Sequence, residues 1–186
     1  MTEPFPSQAL DEKGLRALTH PLRLQLLGLL RQEGAATATL LATRTGQSSG
    51  LTSYHLRQLA DAGLVTEVAR GTGRERWWQP VARSHTFTPR DADPELGEQY
   101  QRTVVHRLAE QALRWVDASR AWPQDWRDAA GLSDFRLDLN AGQAGALLTE
   151  LVATIDRYAG LPAEPDAQPV SLQLNLFPTG EPQNQS

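Results

Sequence analysis

The sequence predicts a mainly α, α+β protein: a small N-terminal domain, a long helix, and a C-terminal element with a helix between two strands. Three observations predict it. Residues 7–62 carry apolar side chains at helical spacing, broken at short intervals by Pro and Gly. Two strand-like runs, "LVTEVAR" and "RERWWQPV", flank Gly71-Thr72-Gly73. Residues 94–122 then hold one long helical stripe, and two alternating runs follow it.

Taken in order, a helical pattern starts near Ser7 and carries Leu15 and Leu18. His20-Pro21 interrupts it, because a residue before proline avoids the helical region. Pro21 suits the first position of a second helix, with Leu22, Leu26, Leu29 and Leu30 at helical spacing up to Gly34. Thr37 can cap a short helix over 38–45 that ends at Gly46. Ser48 or Ser49 can cap the next, which runs to about Ala62 and stops at Gly63. The two strand-like runs then form a hairpin with an exposed basic tip. Helix, helix, short helix, turn, helix, hairpin is the plan of a winged helix-turn-helix domain, placed at residues 8–84.

"SHTFTPRDADPE" is polar and Pro-bearing and is expected to be a linker. The long helix, 94–122, aligns Leu96, Tyr100, Val104, Leu108, Ala112, Trp115 and Trp122, and Pro123 bars its continuation. At the usual rise its ~28 residues span ~42 Å, more than one small domain can cover, so a symmetric partner helix is expected on its apolar face. "DFRLDLN" and "PVSLQLNLF" alternate as half-buried strands do, with an amphipathic helix between them at 141–159. These make a strand-helix-strand element at 125–178, before a disordered tail at 179–186.

Composition narrows the chemistry. The chain of 186 residues has no cysteine, which excludes disulfides, thiolate metal sites and a cysteine nucleophile. Nothing resembles a membrane span or a secretory signal, so a cytoplasmic location is expected. The net charge of −4 conceals an asymmetry. Residues 11–85 hold ten basic and six acidic side chains, net +4; residues 86–186 hold eight and fifteen, net −7. A basic front half suits a polyanionic partner.

"SSGLTSYHLRQLADAGLV", residues 48–65, decides between catalysis and recognition. At ~100° per residue, Leu51, Thr52, His55, Leu56, Leu59 and Gly63 fall on one side, and Gly50, Ser53, Tyr54 and Arg57 on the other. Ser53 and His55 are thereby kept apart, although a nucleophile and its base must lie within ~3 Å. An exposed Arg beside hydroxyl donors instead suits a major groove, where Arg grips guanine O6 and N7 in a fork. Asp134 and Asp138 flank Arg136, which neutralises them as an acid pair. No enzyme and no cofactor is expected.

"LTHPLRLQLLGLL", "SYHLRQLADAGLV" and "GRERWWQP" resemble the signatures of the ArsR-like winged-helix regulators over residues 12–80. The resemblance implies a dimeric, DNA-binding transcription factor, usually a repressor released by an effector. It implies that Ser53, Tyr54 and Arg57 enter the major groove, and that Arg70 to Arg74 lie on phosphates or in the minor groove. The full DNA-contacting set expected is Thr39, Gln47, Ser49, Gly50, Ser53, Tyr54, Arg57, Arg70, Thr72 and Arg74, on a palindromic duplex read by a homodimer. Metal-sensing members use cysteines or carboxylate–His pairs. Here His106 and Glu110, four apart on the long helix, supply two ligands and no complete site. The expected effector is a small apolar molecule, held by Trp115, Trp122, Leu148 and Ile155. Two alternatives are a winged-helix protein-interaction module and a metal-responsive regulator using His106 and Glu110.

Overall fold

Local polar side chains set most of the helix boundaries. The structure, a computed structural model, describes residues 7–70, 75–82, 84–87, 93–162 and 164–181. After strand β1 (Ser7–Ala9), helix α1 (Glu12–Leu18) begins where the Asp11 carboxylate accepts the Gly14 amide at 2.7 Å. In α2 (Pro21–Glu33), Pro21 takes the first position as predicted, and His20 Nδ1 accepts the Leu22 amide at 3.2 Å. The Arg23 side chain folds back onto the last carbonyls of α1, those of Ala17 and Arg16. It thereby satisfies acceptors that the helix end leaves open.

Strand β2 (Ala36–Thr37) leads into α3 (Ala38–Thr45), capped by Thr37 at the Leu40 amide, 3.3 Å. Gly46 ends α3 in the left-handed region at φ 67°. Of the two candidate serines, Ser48 is the one that caps α4 (Ser49–Asp61), accepting the Leu51 amide at 3.2 Å. The predicted hairpin is present as β3 (Val65–Val68) and β4 (Trp77–Pro80), antiparallel. Sequence reading missed β2, which pairs with the other edge of β4 to give the order β2-β4-β3.

Two expectations are corrected at the ends of this domain. The pattern from Ser7 does not begin as helix, because Ser7–Ala9 pairs in parallel with β5 (Ser84–Thr86). For the same reason the expected linker from Ser84 begins as a strand. The partners are separated by the whole domain, so no local signal announces them.

Helix α5 (Pro94–Ala118) starts at Asp93, whose carboxylate accepts the Leu96 amide at 3.0 Å, and ends in a single 3-10 turn, Ser119–Ala121. The core is continuous from α1 into α5. Leu15, Leu18, Leu26, Leu27, Leu30, Leu41, Leu56, Leu59 and Leu64 are fully buried, with Trp78, Leu96 and Tyr100 packed into the same cluster. Each such side chain contributes about 1.5–3 kcal/mol by leaving water. Thr103 Oγ1 also donates to the Thr19 carbonyl at 3.1 Å, fastening α5 to the turn between α1 and α2.

The chain divides at Pro123 into two units. The second contains α6 (Gln124–Ala129) and α7 (Ala141–Ala159), where α7 has the predicted bounds and a capping box from Asn140 and Gln143. The strands expected on either side of α7 are a correction: residues 130–140 and 164–179 form no ladder. Phe135, Leu137, Leu139, Val170, Leu172, Leu174 and Leu176 are all exposed. Alternation prepares a segment for a half-buried sheet, but a strand exists only where a second edge accepts its hydrogen bonds. Of the expected tail, residues 182–186 lie outside the described residues.

Candidate nucleic-acid interface

Helices α3 and α4, joined across Gly46, present one continuous exposed surface. Leu41 and Ala42 hold α3 to the core, while Thr52, His55, Leu56 and Leu59 hold α4. Opposite them, Thr39, Gln47, Ser49, Gly50, Tyr54 and Arg57 are exposed and Ser53 is half-buried. The residues predicted for this face are thus exposed or half-exposed on α3, on α4 and in the turn between them. The dipole of α4 also favours an anion: the free amides of its first turn lie at the same end as Ser49 and Gly50.

The Arg57 guanidinium is anchored at one nitrogen, where Nε donates to the Ser53 carbonyl at 3.2 Å. A guanidinium carries five donors, so its outer edge still has the fork that matches guanine. Tyr54 lies edge-on to the His55 ring at 5.2 Å, which fixes the phenol while half of its surface stays in solvent. His55 itself is buried and lies against His20 with the rings tilted and their centroids 4.5 Å apart. Burial lowers the pKa of both rings, with neighbouring Arg23 acting in the same direction, so both are neutral near pH 7. His55 is therefore part of the support of α4, as its position on the wheel predicted.

Leu51 corrects the helical wheel. It was placed on the body side, yet it is 40% exposed, as is Leu40 of α3 at 52%. Leu51 stands in the first turn, ~100° from Thr52 and so at the margin of the buried arc. Both leucines add apolar surface beside the polar face, of the kind that meets a thymine methyl group. An angle measured from the centre of the buried arc would have revealed Leu51.

On the hairpin, Arg70 is exposed with its guanidinium 4.8 Å above the Trp77 ring. Trp78 points the opposite way and is buried, as consecutive strand residues must. Arg76 pairs with Glu67 across the strands at 3.0 Å. Thr72 and Arg74, expected at the hairpin tip, lie outside the described residues. Of the residues expected to hold an effector, Trp115 and Trp122 lie with tilted rings 6.0 Å apart in the first unit, whereas Leu148 and Ile155 belong to α7 of the second. His106 and Glu110 are exposed, and Glu110 lies 4.0 Å from Arg114. Among the described residues no three His, Asp or Glu side chains gather as a metal site. Nor is any described helix long and apolar enough to cross a membrane.

Comparison with known proteins gives this surface its context. A helix-turn-helix domain model matches residues 18–68, from the end of α1 through β3. Over 68 residues the chain is 38% identical to the HTH-type transcriptional regulator YgaV of Escherichia coli (strain K12), covering 35% of this chain and 69% of that protein. Solved structures with likeness include a fragment of a possible transcriptional regulatory protein from Mycobacterium bovis. It is 26% identical over 50% of this chain and 84% of that one, with a TM-score of 0.32. Another is the homodimeric winged helix-turn-helix DNA-binding domain of a possible ArsR-family regulator from the same organism. It is 24% identical over 52% and 74% of the two chains, with a TM-score of 0.34. The chain belongs to the helix-turn-helix transcriptional regulators, a family of DNA-binding proteins rather than enzymes, as the ArsR-like character of its motifs implied.

Proposed function

We propose that the protein is a homodimeric repressor that reads a short palindrome in duplex DNA and is released by a small effector. The observation that carries the reading is the division of α4: Ser49, Gly50, Tyr54 and Arg57 exposed on one side, Thr52, His55, Leu56 and Leu59 sealed into the core on the other. In this reading Ser53, Tyr54 and Arg57 contact base edges, with Thr39, Gln47, Ser49 and Gly50 against the adjoining backbone. Arg70, Thr72 and Arg74 follow the phosphates or the minor groove.

Dimerisation is supported by α5 from its middle onward, where Val105, Leu113 and Val116 are each more than half exposed. A symmetric copy of α5 would cover them, and would set the two reading heads about 34 Å apart, one turn of duplex. The long helix at 94–122 then serves as the dimer helix, and residues 125–178 as the sensing part. The exposed apolar side chains of α7, Leu148 and Leu151 among them, suit a small apolar effector. The protein would act in the cytoplasm.

The test is binding of the purified protein to duplex from its own upstream region against random duplex, across a range of salt. Selective binding is expected, falling steeply with salt. Arg57→Ala should weaken selective binding by about 1–3 kcal/mol and leave non-selective binding nearly intact. Equal binding to both duplexes, unaffected by that substitution, would sink the reading and favour a winged-helix surface that binds protein. For the sensing part, removal of residues 125–186 should leave operator binding but abolish release; release that survives the deletion would overturn it.

A further inference from the structure

Where α2, β5 and α5 meet, the first unit buries a group of polar side chains that DNA reading does not use. Arg31 of α2 donates from Nε to the Ala82 carbonyl at 3.0 Å, and its Nη1 lies 2.5 Å from His85 Nδ1. On the other side of that ring, Nε2 lies 2.6 Å from the Tyr100 hydroxyl oxygen. Arg107 reaches back from α5 over Gly28, where a Cβ would stand 3.6 Å from its Nη1. The same nitrogen donates to Gln111 Oε1 at 3.3 Å.

The direction of these bonds follows from donor chemistry. A guanidinium only donates, so His85 Nδ1 accepts, and the neutral ring carries its proton on Nε2. That proton is given to the Tyr100 oxygen, which leaves the Tyr100 O–H with no acceptor in this chain of bonds. Arg31 Nη2 and Arg107 Nε are both buried and make no hydrogen bond among the described residues. Ion pairs among the described residues engage Arg16, Arg44, Arg76, Arg102 and Arg114, and none engages Arg31 or Arg107. The cluster therefore offers two positive charges and three unused donors, with no acceptor to receive them among the described residues. Burial acts on all of it: it pushes the Arg31 guanidinium down to about 10, His85 down to about 4 and Tyr100 up to about 12.

Unpaired buried cations are costly, whereas a buried charge met by an acceptor-only partner is not. A cleft of about 280 Å³ opens beside Arg31, the member of this group that lines it, between the end of α2 and the end of β4. Leu30, Gly34, Pro80 and Val81 line it, and among the described residues Arg31 is the one charged side chain in its wall. We propose that Arg31, Arg107 and Tyr100 form a binding site for a small oxyanion, a carboxylate or a phosphate, that enters through the cleft beside Arg31. The site holds α5 to the winged domain, so its occupancy bears on the attachment of the head to the dimer helix. It goes beyond the reading given above, since it requires neither DNA nor an apolar effector.

The test uses the full chain in a buffer whose only anion is chloride. Sodium acetate or sodium phosphate replaces sodium chloride at constant ionic strength, and melting temperature and heat of binding are followed. A saturable rise of about 5 °C or more is expected once the anion exceeds its Kd about a hundredfold. Arg107→Met and Tyr100→Phe should each abolish most of that rise. Without added oxyanion, Arg107→Met should melt no lower than the parent chain, because it removes an unpaired buried charge. Identical melting in chloride, acetate and phosphate would overturn the proposal, as would a rise that survives Arg107→Met. If free oxyanions have no effect while Arg107→Met loosens self-association in sedimentation, the acceptor is a carboxylate of a second copy and the site for a free anion is overturned. None of these readouts involves DNA, so they stand whatever the outcome of the operator experiment.

Discussion

At the scale of single residues, burial decides what each side chain can do. Arg57 and His55 are two positions apart, yet one faces solvent and the other the His20 ring. Leu59 is fully buried between α4 and the rest of the core, so Leu59→Ala should cost about 2–5 kcal/mol in urea unfolding, with DNA selectivity unchanged in the fraction that folds. His85 gives stability a pH dependence. Its pKa is lowered from 6.5 to about 4, by burial first and then by Arg31 and Arg107. The native state thus binds fewer protons than the unfolded chain between those values. The contribution is full above pH 6.5 and lost as pH falls through 4, amounting to roughly 3 kcal/mol at most. Unfolding free energy should decline from pH 6.5 downwards, and His85→Gln should flatten the part of that decline above pH 5. A parent chain with constant stability from pH 7 to 5 would contradict the assignment. The bearing of Arg57 was legible in the sequence, because a helix fixes which neighbours share a face. The joining of Arg31, His85, Tyr100 and Arg107 was not, since three separate elements contribute one or two residues each.

At the scale of elements, the legible signals were those that act within a few residues. Thr37, Gly46, Ser48 and Gly63 were all visible as helix ends because capping is a local hydrogen bond or a local φ. Ser48→Ala should destabilise the protein by about 1 kcal/mol through loss of the bond to the Leu51 amide, and should also weaken DNA binding by fraying the turn that carries Ser49 and Gly50. Thermal melting and DNA titration of the same preparation would check both; a change in neither would mean the cap contributes nothing. Gly46→Ala should cost at least as much, since a side chain at φ 67° is strained even where space is open. Strands were read less well, for two opposite reasons. Ser7–Ala9 has too few residues to show alternation but finds a partner. Residues 135–139 and 170–176 alternate fully and find none among the described residues. Periodicity reports which side of a segment is apolar, and pairing depends on what arrives beside it.

At the scale of the whole molecule, the two units differ in what they bury. All of the buried apolar side chains described lie between Leu15 and Tyr100. Neither α6 nor α7 has a buried residue, while Leu148, Leu151, Val152 and Tyr158 of α7 are exposed. A chain ending at Pro123 should therefore unfold cooperatively with a midpoint close to that of the full protein. In the full protein, limited proteolysis should cut first within 130–140 and 160–181. Early cuts inside residues 12–66 would contradict this picture. An apolar surface of that extent on a folded chain marks a place of association. Raising the protein concentration should protect these segments if a second copy covers them.

The parallel pair of β1 and β5 has a kinetic consequence. It joins Ser7 to Ser84 through three residues on each side, and so closes a loop of about 77 residues for very little surface. Every other contact of the winged domain can form before it, which places it last in refolding and first to open in the native state. Amide hydrogens of residues 7–9 should exchange orders of magnitude faster than those of α2 and α4. Residues 7–9 thereby form a clasp on β5 that opens without unfolding the domain behind it.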